Sequence, residues 1–108
     1  MKKTVLAVVA FILAWGLVIS ANAQKASQNS GEAKFKELCS ICHPDGGNIV
    51  NPKKTLHKKV REANNIKTES DIMKLMRHPG PGMTTFDEKT VPDKTAKEIA
   101  NYVIMTFK

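Results

Sequence analysis

Cys39-Ser40-Ile41-Cys42-His43 is the stretch that decides how this chain folds. It has the C-x-x-C-H spacing of covalent haem attachment, and it contains both cysteines and one of the three histidines of the chain. Two thiols three positions apart can each add to one vinyl group of a haem, which places the adjacent imidazole next to the iron. The motif therefore predicts one haem c, attached through Cys39 and Cys42, with His43 as an axial ligand.

Two other sites use similar cysteine spacing. A thioredoxin-like redox pair is expected near a βαβ pattern, which is not evident in this sequence. A structural zinc site needs four ligands, and the sequence has no second Cys/His cluster to complete one. The spacing therefore favours haem over both.

The N-terminus has the pattern of an export signal. Lys2 and Lys3 precede an uncharged apolar run at residues 5–19, and Ala21-Asn22-Ala23 resembles a cleavage site. The run is short for a membrane-spanning helix, which needs about 20 apolar residues. We therefore predict a cleaved secretory signal peptide at residues 1–23, a flexible polar lead-in at 24–30, one domain at 31–108, and no stable membrane anchor after cleavage.

The chain is basic, with a formal net charge of +7 over 108 residues. Removing residues 1–23 removes two lysines and no acidic residue, which leaves +5. Export and the absence of a nucleic-acid-binding motif argue against nucleic acid as the partner. Two interpretations stay open, namely attraction to an acidic docking surface on a redox partner protein and a merely solvated surface. The basic cluster consists of Lys53, Lys54, Lys58, Lys59 and Arg61.

Helical spacing and capping residues predict an all-α domain. The first helix is expected to start at Ser30 or Gly31 and to end near Cys39. Thr55 is a candidate cap for a short helix, and Thr68 with Asp71 resembles a capping box for a third that ends before Pro79. A last helix from Pro92-Asp93 has an apolar stripe consisting of Ala96, Ile99, Ala100, Val103 and Phe107.

The second axial ligand decides between an electron carrier and an open iron site. Met83 is the favoured candidate because it follows the stiff Pro79-Gly80-Pro81-Gly82 loop, although packing against the haem is its other possible role. Methionines on helices more often pack in cores. The remaining candidates are Met73, Met76, Met105, His57 and His78.

With these features in place, residues 31–107 resemble a class I cytochrome c of the small cytochrome c6 or c553-like branch. The matching segments are Gly31-x-x-x-Phe35, Cys39 to His43, Gly46-Gly47-Asn48 with Lys54-Thr55-Leu56, Met83-x-x-Phe86, and Ile99-x-x-Tyr102-Val103. Thr84 departs from the proline that usually follows the ligand methionine in that family.

The resemblance implies three to five helices around one covalent haem, with His43 and Met83 as ligands. It also implies haem attachment on the outer side of an energy-transducing membrane, hence a periplasmic location. Gly31 would let the first and last helices cross closely, with Phe35 and Tyr102 packed there. Lys54 would donate to a haem propionate, and a loop carbonyl would accept a hydrogen bond from His43.

The leading hypothesis is a monomeric, non-enzymatic electron carrier that serves redox partner proteins. The alternatives are a haem enzyme or a gas or redox sensor with an open or displaceable sixth site, and a module docked permanently on a larger oxidase or reductase. The short chain with one domain argues mildly against the last.

Overall fold

The computed structural model describes residues 21–108, so most of the predicted signal peptide, residues 1–20, lies outside the described residues. The described part contains four α-helices and no strand, which confirms the predicted all-α fold. Helix α1 covers residues 21–38, and a 3-10 turn, Pro44–Gly46, follows it. The other helices are α2 (Lys58–Ala63), α3 (Glu69–Arg77) and α4 (Asp93–Thr106).

Within residues 21–108, no helix is both long and apolar enough to cross a bilayer.

Helix α1 starts earlier than the sequence predicted. Residues 24–30, expected to be a lead-in ahead of the helix, are already helical, so the predicted start at Ser30 or Gly31 is wrong. Ser30 does not act as an N-cap, because its hydroxyl donates to Glu98 Oε2 on α4 at 2.7 Å. The residue favoured as a cap thus forms a tertiary contact between the two longest helices.

Helices α1 and α4 cross at Gly31, as the family resemblance implied. Gly31 is buried, and a Cβ atom at this position would lie 2.1 Å from the backbone oxygen of Glu98. One helical turn later, the rings of Phe35 and Tyr102 pack with centroids 5.2 Å apart. Phe107 joins them, with its centroid 5.5 Å from that of Phe35. The crossing therefore depends on a position without a side chain, next to an aromatic cluster.

The core lies along one face of α4. All five residues of the predicted apolar stripe are buried, which confirms that prediction. Helix α3 packs on α4 and adds Ile72 and Met76 to the same core. Burial of this stripe fixes the two helices that flank the loop leading to Met83.

Helix α2 begins three residues after the predicted cap. Thr55 does not cap it, and His57 occupies the N-cap position without a side-chain hydrogen bond. The backbone before α2 is used in tertiary contacts, because Leu56 N donates to Gly46 O at 2.7 Å and Lys58 N donates to Phe107 O at 2.9 Å. These bonds tie α2 to the turn after His43 and to the C-terminus of the chain.

Helix α3 has the capping box that the sequence predicted. Asp71 N donates to Thr68 Oγ1 at 3.2 Å, and Thr68 N donates to Asp71 Oδ2 at 2.9 Å. The helix ends at Arg77, two residues before Pro79, as expected from the proline. The capping box therefore sets the start of the helix that leads into the Met83 loop.

The Thr68 capping box makes stability depend on pH. Hydrogen bonds from the backbone N–H groups of Lys67 and Thr68 lower the pKa of Asp71 below its usual 3.8. The stabilisation that ionised Asp71 provides is therefore fully present above its usual pKa of 3.8. It is lost as the pH falls through the lower pKa that Asp71 has in the folded protein. We expect Asp71→Asn to lower the Tm at neutral pH but to have little effect near a pH of about 2.

Thermal unfolding of Asp71→Asn at both pH values checks this prediction, and Thr68→Ala serves as the comparison. Thr68→Ala removes an uncharged cap and should cost about 1 kcal/mol. An Asp71→Asn penalty of equal size at both pH values would contradict the assignment.

Candidate functional site

The C-x-x-C-H motif forms the turn that directly follows α1. Cys39 N donates to Phe35 O at 2.8 Å, and His43 N donates to Cys39 O at 2.9 Å. The helical hydrogen-bonding pattern thus continues from α1 into the motif, and the helix ends next to Cys39, as predicted. Cys39 is half-buried and Cys42 is exposed. The pKa of the free Cys39 thiol is raised to about 11, mainly by burial and to a smaller extent by the nearby Cys42.

His43 is held in one orientation by the loop that follows it. Its Nδ1 lies 2.8 Å from Gly47 O, and a carbonyl oxygen can only accept, so Nδ1 carries the proton. Gly47 is fixed in turn, because its N–H donates to Pro44 O at 2.8 Å. In the neutral imidazole, Nε2 is then the nitrogen whose lone pair is available to a metal. The predicted loop carbonyl is that of Gly47, which the sequence could not name.

A cavity of 390 Å³ lies beside the motif and gathers the predicted site residues. Cys39, Cys42, His43 and Met83 all line it. Much of the remaining wall is apolar and comes from helices α1, α2 and α3 and from the loops between helices, including Leu38, Val50, Leu56, Val60, Ile66, Ile72, Leu75 and Phe86. The volume falls in the range of about 300–1,000 Å³ that is usual for ligand pockets.

Other candidates for the second ligand lie elsewhere. Among the described residues that line this cavity, Met83 is the one methionine and His43 the one histidine. Met76 is buried in the core, Met73 packs against it, and Met105 is exposed on α4. His57 and His78 are both exposed. Two thiols, an oriented imidazole and a thioether around an apolar cavity fit a covalently attached haem.

The loop that carries Met83 is anchored at its far end. Phe86 N donates to Met76 O at 2.9 Å, and Arg77 Nη1 donates to Phe86 O at 2.8 Å. Arg77 Nη2 also pairs with Asp93 Oδ1 at 2.7 Å, which links the end of α3 to the start of α4. Both helices therefore restrain the segment that follows Met83.

The loop is also restrained where it approaches the motif. Gly82 has a φ of +90°, and a Cβ there would lie 2.7 Å from the side chain of Val50. Ile49, next to Val50, donates its N–H to Cys42 O at 3.0 Å. The Met83 loop thus touches a segment bonded to the motif itself. Thr84, which replaces the usual proline, is exposed beside it.

The charged side chains that line the cavity are all basic. Lys54 and Arg61 line it, and none of the described residues that line it is an aspartate or a glutamate. Lys54 is exposed, whereas only 4% of Arg61 is exposed. Arg61 belongs to the basic cluster near Lys58 and Lys59 in the sequence, and its burial was not predicted. Helical spacing gave no signal for this burial, because position 61 is at neither i+3 nor i+4 from Leu56 or Val60.

Among residues 21–108, no group of three or more His, Cys, Asp or Glu side chains comes together as a metal cluster. The zinc alternative therefore gains no further ligands from this part of the chain.

Comparison with known proteins finds one matching family model and similar proteins among the c6 cytochromes. Residues 26–103 match the family model described as cytochrome C oxidase, cbb3-type, subunit III. Cytochrome c6 of Cyanidium caldarium is 33% identical over 104 residues, which cover 96% of this chain and 94% of that protein. Cytochrome c6 of Pyropia tenera is 35% identical over 79 residues, which cover 73% of this chain and 92% of that protein.

The fold of this chain is also similar to that of a cytochrome whose structure has been solved. The outer membrane cytochrome OmcF from Geobacter sulfurreducens has 45% sequence identity and a TM-score of 0.71. The match covers 72% of this chain and 99% of that chain.

Proposed function

The chain belongs to the class I cytochromes c of the c6 type, and on this premise we propose that it is a periplasmic electron carrier with His43 and Met83 as axial iron ligands. At the level of the family, it is a small haem c electron carrier and not an enzyme. One observation supports the proposed attachment and ligation most strongly: Cys39, Cys42, His43 and Met83 all line the same cavity. The export pattern at residues 1–23 supports the periplasmic location.

Each of these residues has a distinct role in the proposal. The bound haem supplies a one-electron ferric–ferrous couple. Cys39 and Cys42 hold it through thioethers, and the bond from His43 Nδ1 to Gly47 O keeps the imidazole in one orientation. Met83 provides a soft thioether, which favours the ferrous state. The hydrogen bond from Arg77 to Phe86 O anchors the loop and would hold that sulfur in place, although Thr84 stands where the family usually has a proline.

The attachment is tested by removing the thiols one at a time. In the purified wild-type chain, haem should remain with the polypeptide after denaturation, and the pyridine haemochrome spectrum should indicate two saturated vinyl groups. Cys39→Ala and Cys42→Ala should each leave one unreacted vinyl group, and the double variant should lose the haem on denaturation. Haem that is removed from the denatured wild-type chain would overturn the proposal.

A docking surface for an acidic redox partner is the second part of the proposal. Ile41, Ile49 and Val50 are 75%, 61% and 57% exposed, and Ile49 and Val50 adjoin the motif through the bond from Ile49 N to Cys42 O. Lys53 and Lys54 follow directly in the chain and are exposed. An apolar patch beside basic side chains suits a transient partner that is steered by charge.

Two small oxidants, one anionic and one cationic, test the charge at this surface. Electron transfer to ferricyanide should slow with added salt, and transfer to a cationic cobalt tris-phenanthroline complex should speed up. Lys54→Glu should slow the ferricyanide reaction roughly threefold or more at low salt, since it reverses a charge beside the cavity. Lys97→Glu on α4 is the matched control. Equal effects of the two variants would contradict a localised basic docking surface.

The description of the matching family model favours a second candidate function, a cytochrome c module that works within an oxidase. Such a module would remain bound to its complex in high salt. A carrier that diffuses freely would separate as a monomer. Purification from the native membrane and soluble fractions in high salt distinguishes the two.

A further inference from the structure

The ring of Phe107, the residue that follows α4, packs on the turn after His43. Phe107 is 8% exposed. A Cβ atom at Gly46 would lie 2.4 Å from its Cδ1 and 2.8 Å from its Cε1 and Cγ. Gly46 is itself buried in the 3-10 turn. The backbone of this turn therefore lies directly against the aromatic ring.

The same turn carries the acceptor that orients the axial imidazole. Gly47, the next residue after the ring contact, accepts through its carbonyl oxygen from His43 Nδ1 at 2.8 Å. Hydrogen bonds restrain the turn as well, because Leu56 N donates to Gly46 O at 2.7 Å and Gly47 N donates to Pro44 O at 2.8 Å. A displacement of Gly46 would consequently move the acceptor of the His43 hydrogen bond.

Contacts with other elements fix the position of Phe107. The centroid of its ring lies 5.5 Å from that of Phe35, 5.8 Å from that of His57 and 6.0 Å from that of Tyr102. Its carbonyl oxygen accepts from Lys58 N at 2.9 Å. The ring cannot move away from the turn without breaking contacts with α1, α2 and α4, so it limits where Gly46 can lie.

We propose that Phe107 is a positioning residue for the axial imidazole, and that its ring keeps the Gly47 carbonyl within hydrogen-bonding distance of His43 Nδ1. This inference rests on the haem site proposed above. Phe107 is not among the described residues that line the cavity, so it acts through Gly46 and Gly47 and not by contact with the haem. A hydrogen bond from Nδ1 makes the ligating nitrogen more basic, which favours the ferric ion.

Proton exchange at His43 Nδ1 tests this positioning. In the ferrous holoprotein, nuclear magnetic resonance should detect the Nδ1 proton and show slow exchange with solvent. Phe107→Leu removes the planar ring but keeps the backbone carbonyl that accepts from Lys58. We expect the exchange to become about tenfold faster, since the hydrogen bond is weakened. The ferric-to-ferrous ratio at a fixed potential should fall about twofold, because the imidazole becomes less basic.

Two further variants separate positioning from loss of core packing. Ile99→Val shortens a side chain of α4 that is 1% exposed and does not line the described cavity wall. It should lower the Tm but leave both the exchange rate and the ratio unchanged. Phe107→Tyr keeps the ring and should retain slow exchange. Wild-type exchange in Phe107→Leu, or equal acceleration in Phe107→Leu and Ile99→Val, would overturn the inference.

A measurement on the unmodified holoprotein covers the case in which Phe107→Leu does not fold. The ring protons of Phe107 should show nuclear Overhauser effects to the α protons of Gly46, and the His43 Nδ1 proton should exchange slowly. The absence of either would overturn the inference. Loss of haem from the denatured wild-type chain would instead refute the proposed function, so the two failures are distinguishable.

Discussion

Met83→Ala is expected to produce the largest functional change in this protein. The iron should lose its thioether ligand and become high-spin in the ferric state, since no other methionine lines the described cavity wall. The reduction potential should fall by about 120 mV or more, which is a hundredfold change in the ferric-to-ferrous ratio at 59 mV per decade. Redox titration and the visible spectrum measure both effects.

Met105→Ala is the matched control for this experiment. Met105 is 47% exposed on α4 and does not line the cavity, so its removal should leave the spin state and the potential unchanged. An enzyme or gas sensor with an open sixth site would give a different result. In that case, Met83→Ala would leave the spin state unchanged, and the reduced wild-type protein would bind carbon monoxide readily.

Among substitutions that add one heavy atom to a residue of α1, Gly31→Ala should cause the largest loss of stability. The new methyl group would lie 2.1 Å from the backbone oxygen of Glu98, which cannot move without separating α1 from α4. Helix propensity favours alanine by up to about 1 kcal/mol, but the steric overlap outweighs it. We expect a net loss of about 3 kcal/mol, which corresponds to a Tm lower by roughly 10–20 °C in a domain of this size.

Ala33→Ser tests whether this effect comes from the helix crossing. It also adds a single heavy atom to α1, but at an exposed position, and it should cost less than about 0.5 kcal/mol. Thermal unfolding of the two holoproteins, followed by helical circular dichroism, gives the comparison. If the two variants had equal Tm values, α1 and α4 would not cross at Gly31 as described.

The sequence predicted the parts of the fold that depend on local chemistry. The Thr68 capping box, the stop before Pro79 and the buried stripe of α4 all follow from the spacing of a few nearby residues. The starts of α1 and α2 were wrong because long-range contacts override local capping there. Ser30 bonds to Glu98, 68 positions away, and Lys58 N bonds to Phe107 O.

The same distinction applies to the site. The Cys39-x-x-Cys42-His43 motif is contiguous, and the Pro/Gly loop singled out Met83 from the other methionines, so both were predicted by reading the chain, and both line the cavity. Burial of Arg61 could not be predicted, because it depends on Phe107, 46 positions further on. The Gly47 carbonyl was equally hidden, since its direction is set by the turn that begins at Pro44.

The far-red absorption spectrum of the oxidised wild-type holoprotein tests the central claim most directly. Ligation by His43 and Met83 predicts a weak thioether-to-ferric charge-transfer band that disappears in Met83→Ala. A low-spin spectrum without this band would contradict the claim and point to His78 or His57 as the second ligand. A high-spin ferric spectrum, with carbon monoxide binding after reduction, would contradict it in favour of an open iron site.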